Sequence, residues 1–277
     1  MNKESLTARL RNKAKELNIN YNLALTQFFF DEFLGLLSQS KYKDNFMLKG
    51  GMLLTYILGV QSRATQDIDF LIKGTHLDAD NIKSILLSII SDSNQSDIWF
   101  EIVGEGKDIR SDDEYGGLRF KIIGHLSNIQ IPFAIDIATG DPIYPAPVEE
   151  QYQTILDNRF NLKFYPMESI LSEKIHTILT RAENNSRSKD FYDIYIILNK
   201  KSSEIDFEAL KTAVSLTFRY RKTLISKERA IEIIDLINNN DSIRDRWSRY
   251  QKKNPYAQGI NFEWIIDTIN KLIEEVL

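Results

Sequence analysis

The sequence has no cysteine, and only three histidines and six prolines in 277 residues. Without cysteine there is no disulfide, no thiolate metal site and no cysteine nucleophile. The histidines, His76, His125 and His176, stand far apart and form no metal-ligand spacing, which argues against a histidine-dependent hydrolase. Long hydrophobic runs are also lacking. No apolar stretch approaches the ~20 residues of a membrane-spanning helix, and the charged start Asn2-Lys3-Glu4-Ser5 is unlike a secretory leader. These absences predict a cytoplasmic protein with no membrane partner. A basic balance is missing too: the net charge of -4 argues against unspecific nucleic-acid binding. There is no internal repeat and no low-complexity tract. The length suffices for two modest domains, each with its own core.

What is present begins with a short apolar stretch, Phe46-Met47-Leu48, then Lys49-Gly50-Gly51, then Met52-Leu53-Leu54-Thr55-Tyr56-Ile57-Leu58, which reads as a helix. A glycine pair opening a helix lets the backbone approach an anion and aims N–H groups at it. Soon afterwards comes Asp67-Ile68-Asp69-Phe70. On a strand, Asp67 and Asp69 share one face while Ile68 and Phe70 enter the core. Two carboxylates so placed are hard-oxygen ligands of the kind Mg²⁺ takes together with phosphate oxygens. A glycine pair alone is usually a turn, and Asp-x-Asp alone is often a polar strand end. Their order and spacing favour a triphosphate site with two metal ions. Arg63 and Thr65 precede the acidic strand; Arg63 either reaches a phosphate or anchors the loop to an acid.

Such a site calls for a third carboxylate. In Ile129-Gln130-Ile131-Pro132-Phe133-Ala134-Ile135-Asp136-Ile137 the apolar residues alternate on one face and Asp136 lies on the other. Asp136 either completes the metal site or caps the strand, and Pro132 predicts an edge position or a bulge. Further on, Ile170, Leu171, Ile175, Ile178 and Leu179 form one helical stripe that includes Lys174. Lys174 either meets a phosphate or packs its stem and turns its charge to water. After a polar turn ending near Lys189, Asp190 and Asp193 open another helix as surface neighbours, where acids are ordinary dipole partners.

Leu48-Lys49-Gly50-Gly51, Arg63-Ala64-Thr65-Gln66-Asp67-Ile68-Asp69-Phe70 and Arg187-Ser188-Lys189-Asp190-Phe191-Tyr192-Asp193-Ile194-Tyr195 together resemble the AbiEii/AbiGii toxin family, from about residue 46 to residue 198. These are nucleotidyltransferase-like proteins of bacterial abortive-infection and toxin–antitoxin systems, and the related MenT toxins modify the tRNA 3′ end. The resemblance implies a transferase that uses an NTP with Mg²⁺, two ions being expected, and makes tRNA the leading acceptor. It assigns the metal-binding pair to Asp67 and Asp69, to which Asp136, read from its strand, is added as third metal ligand, and catalysis to these three with Lys174 and Asp190. It assigns nucleotide contacts to Gly50, Gly51, Lys174 and Asp193, and Arg63, Thr65 and Lys189 are expected to join them from their places beside these motifs. Asp190 could instead orient Lys174 or Arg187. Met52 stands where the family usually has a small or hydroxyl residue. A separately encoded antitoxin is implied, without assurance that it binds directly. A transferase acting on a protein or small-molecule hydroxyl, and a non-catalytic nucleotide- or RNA-binding module, are the rival readings.

The expected fold is α+β: a nucleotidyltransferase-like mixed sheet with flanking helices, then a mainly helical C-terminal half. The division is residues 1–150, with a helical lead-in to about residue 40, and residues 151–277, contributing to the nucleotide site and acceptor binding. Phe28-Phe29-Phe30 reads as core. A helix is expected near 78–92 and strands at 98–103, 117–123 and 129–137. Residues 104–116 read as a polar, mobile loop, and the Pro-rich stretch 141–147 as the link to the helical half. Residues 217–222 and 244–253 interleave basic and aromatic side chains, as surfaces that stack RNA bases do, or as ordinary charged helices with Trp247 and Tyr250 facing the core.

Overall fold

The computed structural model describes residues 3–91, 97–109 and 116–277. The chain forms two compact units, residues 1–141 with 148–165, and residues 142–147 with 166–277. In the first unit two helices, α1 (Lys3–Glu16) and α2 (Tyr21–Gln39), lead into β1 (Phe46–Lys49), α3 (Gly50–Leu58), β2 (Asp67–Ile72) and α4 (Ala79–Ile90). The strands β3 (Ile98–Ile109), β4 (Gly117–Leu126), β5 (Ile129–Ala138), β6 (Val148–Gln153) and β7 (Arg159–Phe164) follow. All seven belong to one mixed sheet in the order β3-β4-β5-β2-β1-β7-β6. Parallel pairings of β2 with β5 and of β1 with β7 surround the antiparallel pair β1–β2.

The expected mixed sheet with flanking helices is present, and local chemistry sets its helix starts. Asn20 and Asp78 cap α2 and α4 by accepting the N–H of Leu23 and Asn81. The Phe28-Phe29-Phe30 run is core: with Phe33 it is buried and meets Phe70, Phe100 and Phe133, mostly edge to face. Beneath α2 lies a buried polar cluster. Asp31 accepts hydrogen bonds from the Tyr152 hydroxyl, from Gln27 at 2.8 Å and from the N–H of Ile155. Burial nevertheless pushes its carboxyl up to about 7.

Three expectations need correction. The polar segment after Val103 is not a loop throughout, because β3 continues to Ile109. Its register shifts between Val103 and Lys107, where Gly104 adopts φ +75°, and pairing then resumes with Lys107 opposite Arg119. The rest of that segment, 110–115, lies outside the described residues. Pro132 is not on an edge strand, since β5 lies between β4 and β2. It is tolerated because the pairing with β2 covers only Ala134 to Ala138, so no strand of the described residues pairs with Pro132 on that side. Finally, β6 and β7 extend the sheet before the helical half begins. β7 reads Arg-Phe-Asn-Leu-Lys-Phe, with Leu162 and Phe164 buried, whereas β6 buries only Tyr152.

The second unit contains α5 (Met167–Arg181), α6 (Ser188–Lys201), α7 (Phe207–Tyr220), α8 (Lys227–Asn238), α9 (Asp241–Lys253) and α10 (Phe262–Val276). Asp206, Ser226, Asn240 and Asn261 cap the last four. In the basic-aromatic segments the rings face inward. Trp247 is buried, donates to the Ile260 carbonyl and stacks on Tyr250, and Phe218 packs on His176. Arg244 is tied to Glu263 and Asn238, and Arg246 to the Asn185 carbonyl. These rings take part in helix packing, with Tyr250 half-buried.

Candidate active site

The sheet register brings charged residues of four strands into one line. Asp69 on β2 lies opposite Asp136 on β5 and opposite Lys49 on β1, while Asp136 lies opposite Arg119 on β4. Residues directly opposite across strands share a face. Asp67, two residues before Asp69, projects on that face as well.

The two predicted metal carboxylates are held in different ways. Asp69 Oδ2 accepts the N–H of Gly51 at 3.0 Å, so the acid sits against the first turn of α3. Gly50 has φ +61°, and a methyl group there would lie 2.2 Å from Asp69 Oδ2. A methyl at Gly51 would meet Thr65 Oγ1 at 2.5 Å. The glycine pair is therefore a socket: only residues without a Cβ let Asp69 and Thr65 come this close. Thr65 Oγ1 in turn donates to Asp67 Oδ1 at 2.7 Å. Arg63 is buried and donates to the adjacent Ala64 carbonyl, as a loop anchor would.

Asp136 is differently engaged. Arg119 donates through Nε and Nη2 to its two carboxylate oxygens, both at 2.6 Å. The same Nη2 lies 3.6 Å from Asp67 Oδ2. This fork raises the Arg119 pKa further, first through the hydrogen bond to Asp136 and then through the charges of Asp136, Asp67 and Asp69. Lys49, at the other end of the line, is buried, paired with Asp141 at 3.2 Å and set over the Tyr165 ring.

The donor chemistry of Asp67 and Asp69 fits a hard divalent cation: both are carboxylates, and each has one oxygen oriented by a hydrogen bond. Asp136 has both oxygens on Arg119. Among the described residues no three Asp, Glu, His or Cys side chains are arranged to hold a metal ion.

The remaining predicted residues lie together in the second unit. Lys174 Nζ is 2.9 Å from Asp190 Oδ1 and 2.7 Å from Asp193 Oδ2, and Arg187 Nε is 2.8 Å from Asp190 Oδ2. Both aspartates are almost fully buried, with Asp190 2% and Asp193 1% exposed, so they are not surface acids. Burial alone would lower the Lys174 pKa, but the charges of Asp190 and Asp193 outweigh it and raise it. Burial alone would raise Asp190, but Lys174 and Arg187 outweigh it and lower it. Lys189 is exposed. His176 is a packing residue: burial, with the nearby Arg221 charge, pushes it down to about 4.

Arg119 and Lys49 were not singled out from the sequence. Arg119 was within reach: β4 and β5 join through Ser127 and Asn128 with Leu126 opposite Ile129, so counting back seven pairs places Arg119 opposite Asp136. The Lys49–Asp141 pair had no such signal, because Asp141 follows the strand and its approach depends on the fold.

A family model described as nucleotidyl transferase AbiEii toxin, type IV TA system, matches residues 32–268. Among solved structures, an H. pylori protein whose description proposes a nucleotidyltransferase is similar over 93% of this chain and 96% of that chain, at 12% identity and a TM-score of 0.54. JHP933 from Helicobacter pylori is similar over 90% of this chain and 88% of its own, at 12% identity and a TM-score of 0.51. At such identities the likeness is one of fold. No curated protein matches the chain.

Proposed function

Because the chain belongs to the AbiEii family of nucleotidyl transferase toxins of type IV toxin–antitoxin systems, we propose that it transfers a nucleotide from an NTP to an RNA hydroxyl, with the tRNA 3′ end as acceptor. The observation that carries the reading is the pair Asp67 and Asp69, each fixed by its own hydrogen bond, beside Asp136 in register on the next strand. A separately encoded antitoxin restrains the activity. No helix of the described residues is long and apolar enough to cross a membrane.

Asp67 and Asp69 would hold Mg²⁺, which, when bound, supplies charge stabilisation at the transferred phosphoryl group. Thr65 fixes the direction of Asp67, and the Gly50–Gly51 socket that of Asp69, so neither carboxylate has to be ordered when substrate arrives. Asp136 is the third acid of the row and accepts the proton of the attacking hydroxyl once it is not engaged by Arg119. In the second unit, Lys174 and the exposed Lys189 are the proposed phosphate contacts. Asp190 and Asp193 orient the Lys174 ammonium and keep it protonated.

The test is to incubate the protein with total tRNA, Mg²⁺ and each labelled NTP in turn. Label in RNA with one nucleotide, reduced at least about a hundredfold in Asp67→Asn, is the expected result. Asp67 is the better control because Asp69 also receives the Gly51 N–H and its loss would disturb α3. Label in protein, in a small molecule or nowhere would redirect the acceptor or remove the catalytic reading.

A further inference from the structure

The fork of Arg119 does more than orient one acid. It takes both oxygens of Asp136 and lies 3.6 Å from Asp67 Oδ2, so one guanidinium offsets one negative charge of the row and is shared between two of its three carboxylates. We propose that Arg119 is a resident counter-ion of the acidic row, which a divalent cation must displace before it can bind there. The inference rests on the proposed metal-dependent transferase reading.

Three observations carry it. First, Arg119 stands opposite Asp136 by register, so its approach follows from strand pairing and does not need a loop to adopt one conformation. Second, the side chain is 43% exposed while Asp136 is only 13% exposed, so the arginine covers the acid from the solvent side and has room to leave. Third, three carboxylates on one face repel one another, and a planar cation bonded to one and near another relieves part of that repulsion. A guanidinium and a divalent ion compete for the same oxygens, because both need the negative charge of the row.

The consequence is a row that binds a bare cation more weakly than its carboxylates alone would. A metal ion that arrives alone has to break two charge-assisted hydrogen bonds at Asp136. One that arrives on a triphosphate brings further anionic oxygens to which an arginine fork is equally suited.

The experiment measures Mn²⁺ binding by calorimetry, without nucleotide, for the intact protein, Arg119→Gln, Arg119→Lys and Asp67→Asn, with a thermal melt of each. Expected is a Mn²⁺ affinity at least about tenfold tighter in Arg119→Gln, because the two charge-assisted hydrogen bonds that compete with the metal at Asp136 are removed. Arg119→Lys, which keeps the charge without the fork, should fall between, and it carries the test if Arg119→Gln melts early. Asp67→Asn should lose binding. Equal or weaker Mn²⁺ affinity in folded Arg119→Gln, with Asp67→Asn still losing binding, overturns the role of Arg119 and leaves the metal site standing. Binding by none of the four proteins overturns the metal site itself, and this proposal with it.

Discussion

At the scale of single residues, Gly50 carries the heaviest constraint. Its φ of +61° is costly for a residue with a Cβ, by about 1–2 kcal/mol, and the added methyl would strike Asp69 Oδ2 at 2.2 Å. Gly50→Ala is therefore expected to lower stability by at least that amount in urea unfolding and to abolish transfer. Gly51→Ala meets only the Thr65 side chain and the nearby Arg63, and should be milder. Equal losses in the two variants would show that the socket is not what matters. Residue by residue, the sequence was a fair guide to which groups lie together and a poor one to their partners. Alternation put Asp67, Asp69 and Asp136 on one face correctly. It could not show that the Gly51 N–H goes to Asp69, since that bond joins a helix start to a strand eighteen positions away.

At the scale of elements, α5 and α6 are clasped by Lys174. The ammonium is the shared cation of Asp190 and Asp193, both in the first two turns of α6. Removing one partner of a buried pair leaves uncompensated charge, worth about 3–5 kcal/mol. Lys174→Met is accordingly expected to destabilise the second unit by that order in chemical unfolding, and Asp193→Asn by less, because Asp190 still holds the amine. Nucleotide affinity measured on folded Lys174→Arg then separates a phosphate contact from a purely structural clasp. Elements with strong periodicity were legible: α5 lies where its apolar stripe put it, and β5 alternates as its residues do. β6 was not legible, because five of its six residues are exposed and it has no apolar rhythm. The rings of α9 were ambiguous for a related reason, since Trp247 and Tyr250 three apart suit a stacking platform and a packed helix face equally well.

At the scale of the whole molecule, Asp31 in the first unit and His176 in the second carry opposite pH dependences. Asp31 in the first unit is raised from 3.8 to about 7, so the native state binds the proton more tightly than the unfolded chain. Its stabilisation is complete below about pH 4 and is lost as pH rises through about 7, an effect of about 4 kcal/mol. In the second unit His176 is lowered from 6.5 to about 4, and Asp190 is lowered as well. The His176 contribution is complete above pH 6.5 and is lost as pH falls towards 4; that of Asp190 fades in the same direction. Hydrogen exchange corrected for intrinsic rates should show protection of α2 falling from pH 5 to pH 8 while protection of α5 rises. Asp31→Asn should flatten the first trend only. Parallel trends in both helices would refute the assignment. None of this was visible in the sequence, because Asp31 is one acid among many until Gln27, Tyr152 and Ile155 enclose it.

The edge of the sheet has a consequence of another kind. β3 is twelve residues long and ends the strand order of the described residues, and an end strand is where a strand of another chain would pair. The irregularity between Val103 and Lys107, with Gly104 in the left-handed region, interrupts that strand halfway. Glu101, Glu105, Lys107 and Asp108 stud it with charge. The break in register and these charges together disfavour the pairing of β3 with a strand of a second chain, which would otherwise extend this sheet from one molecule into the next.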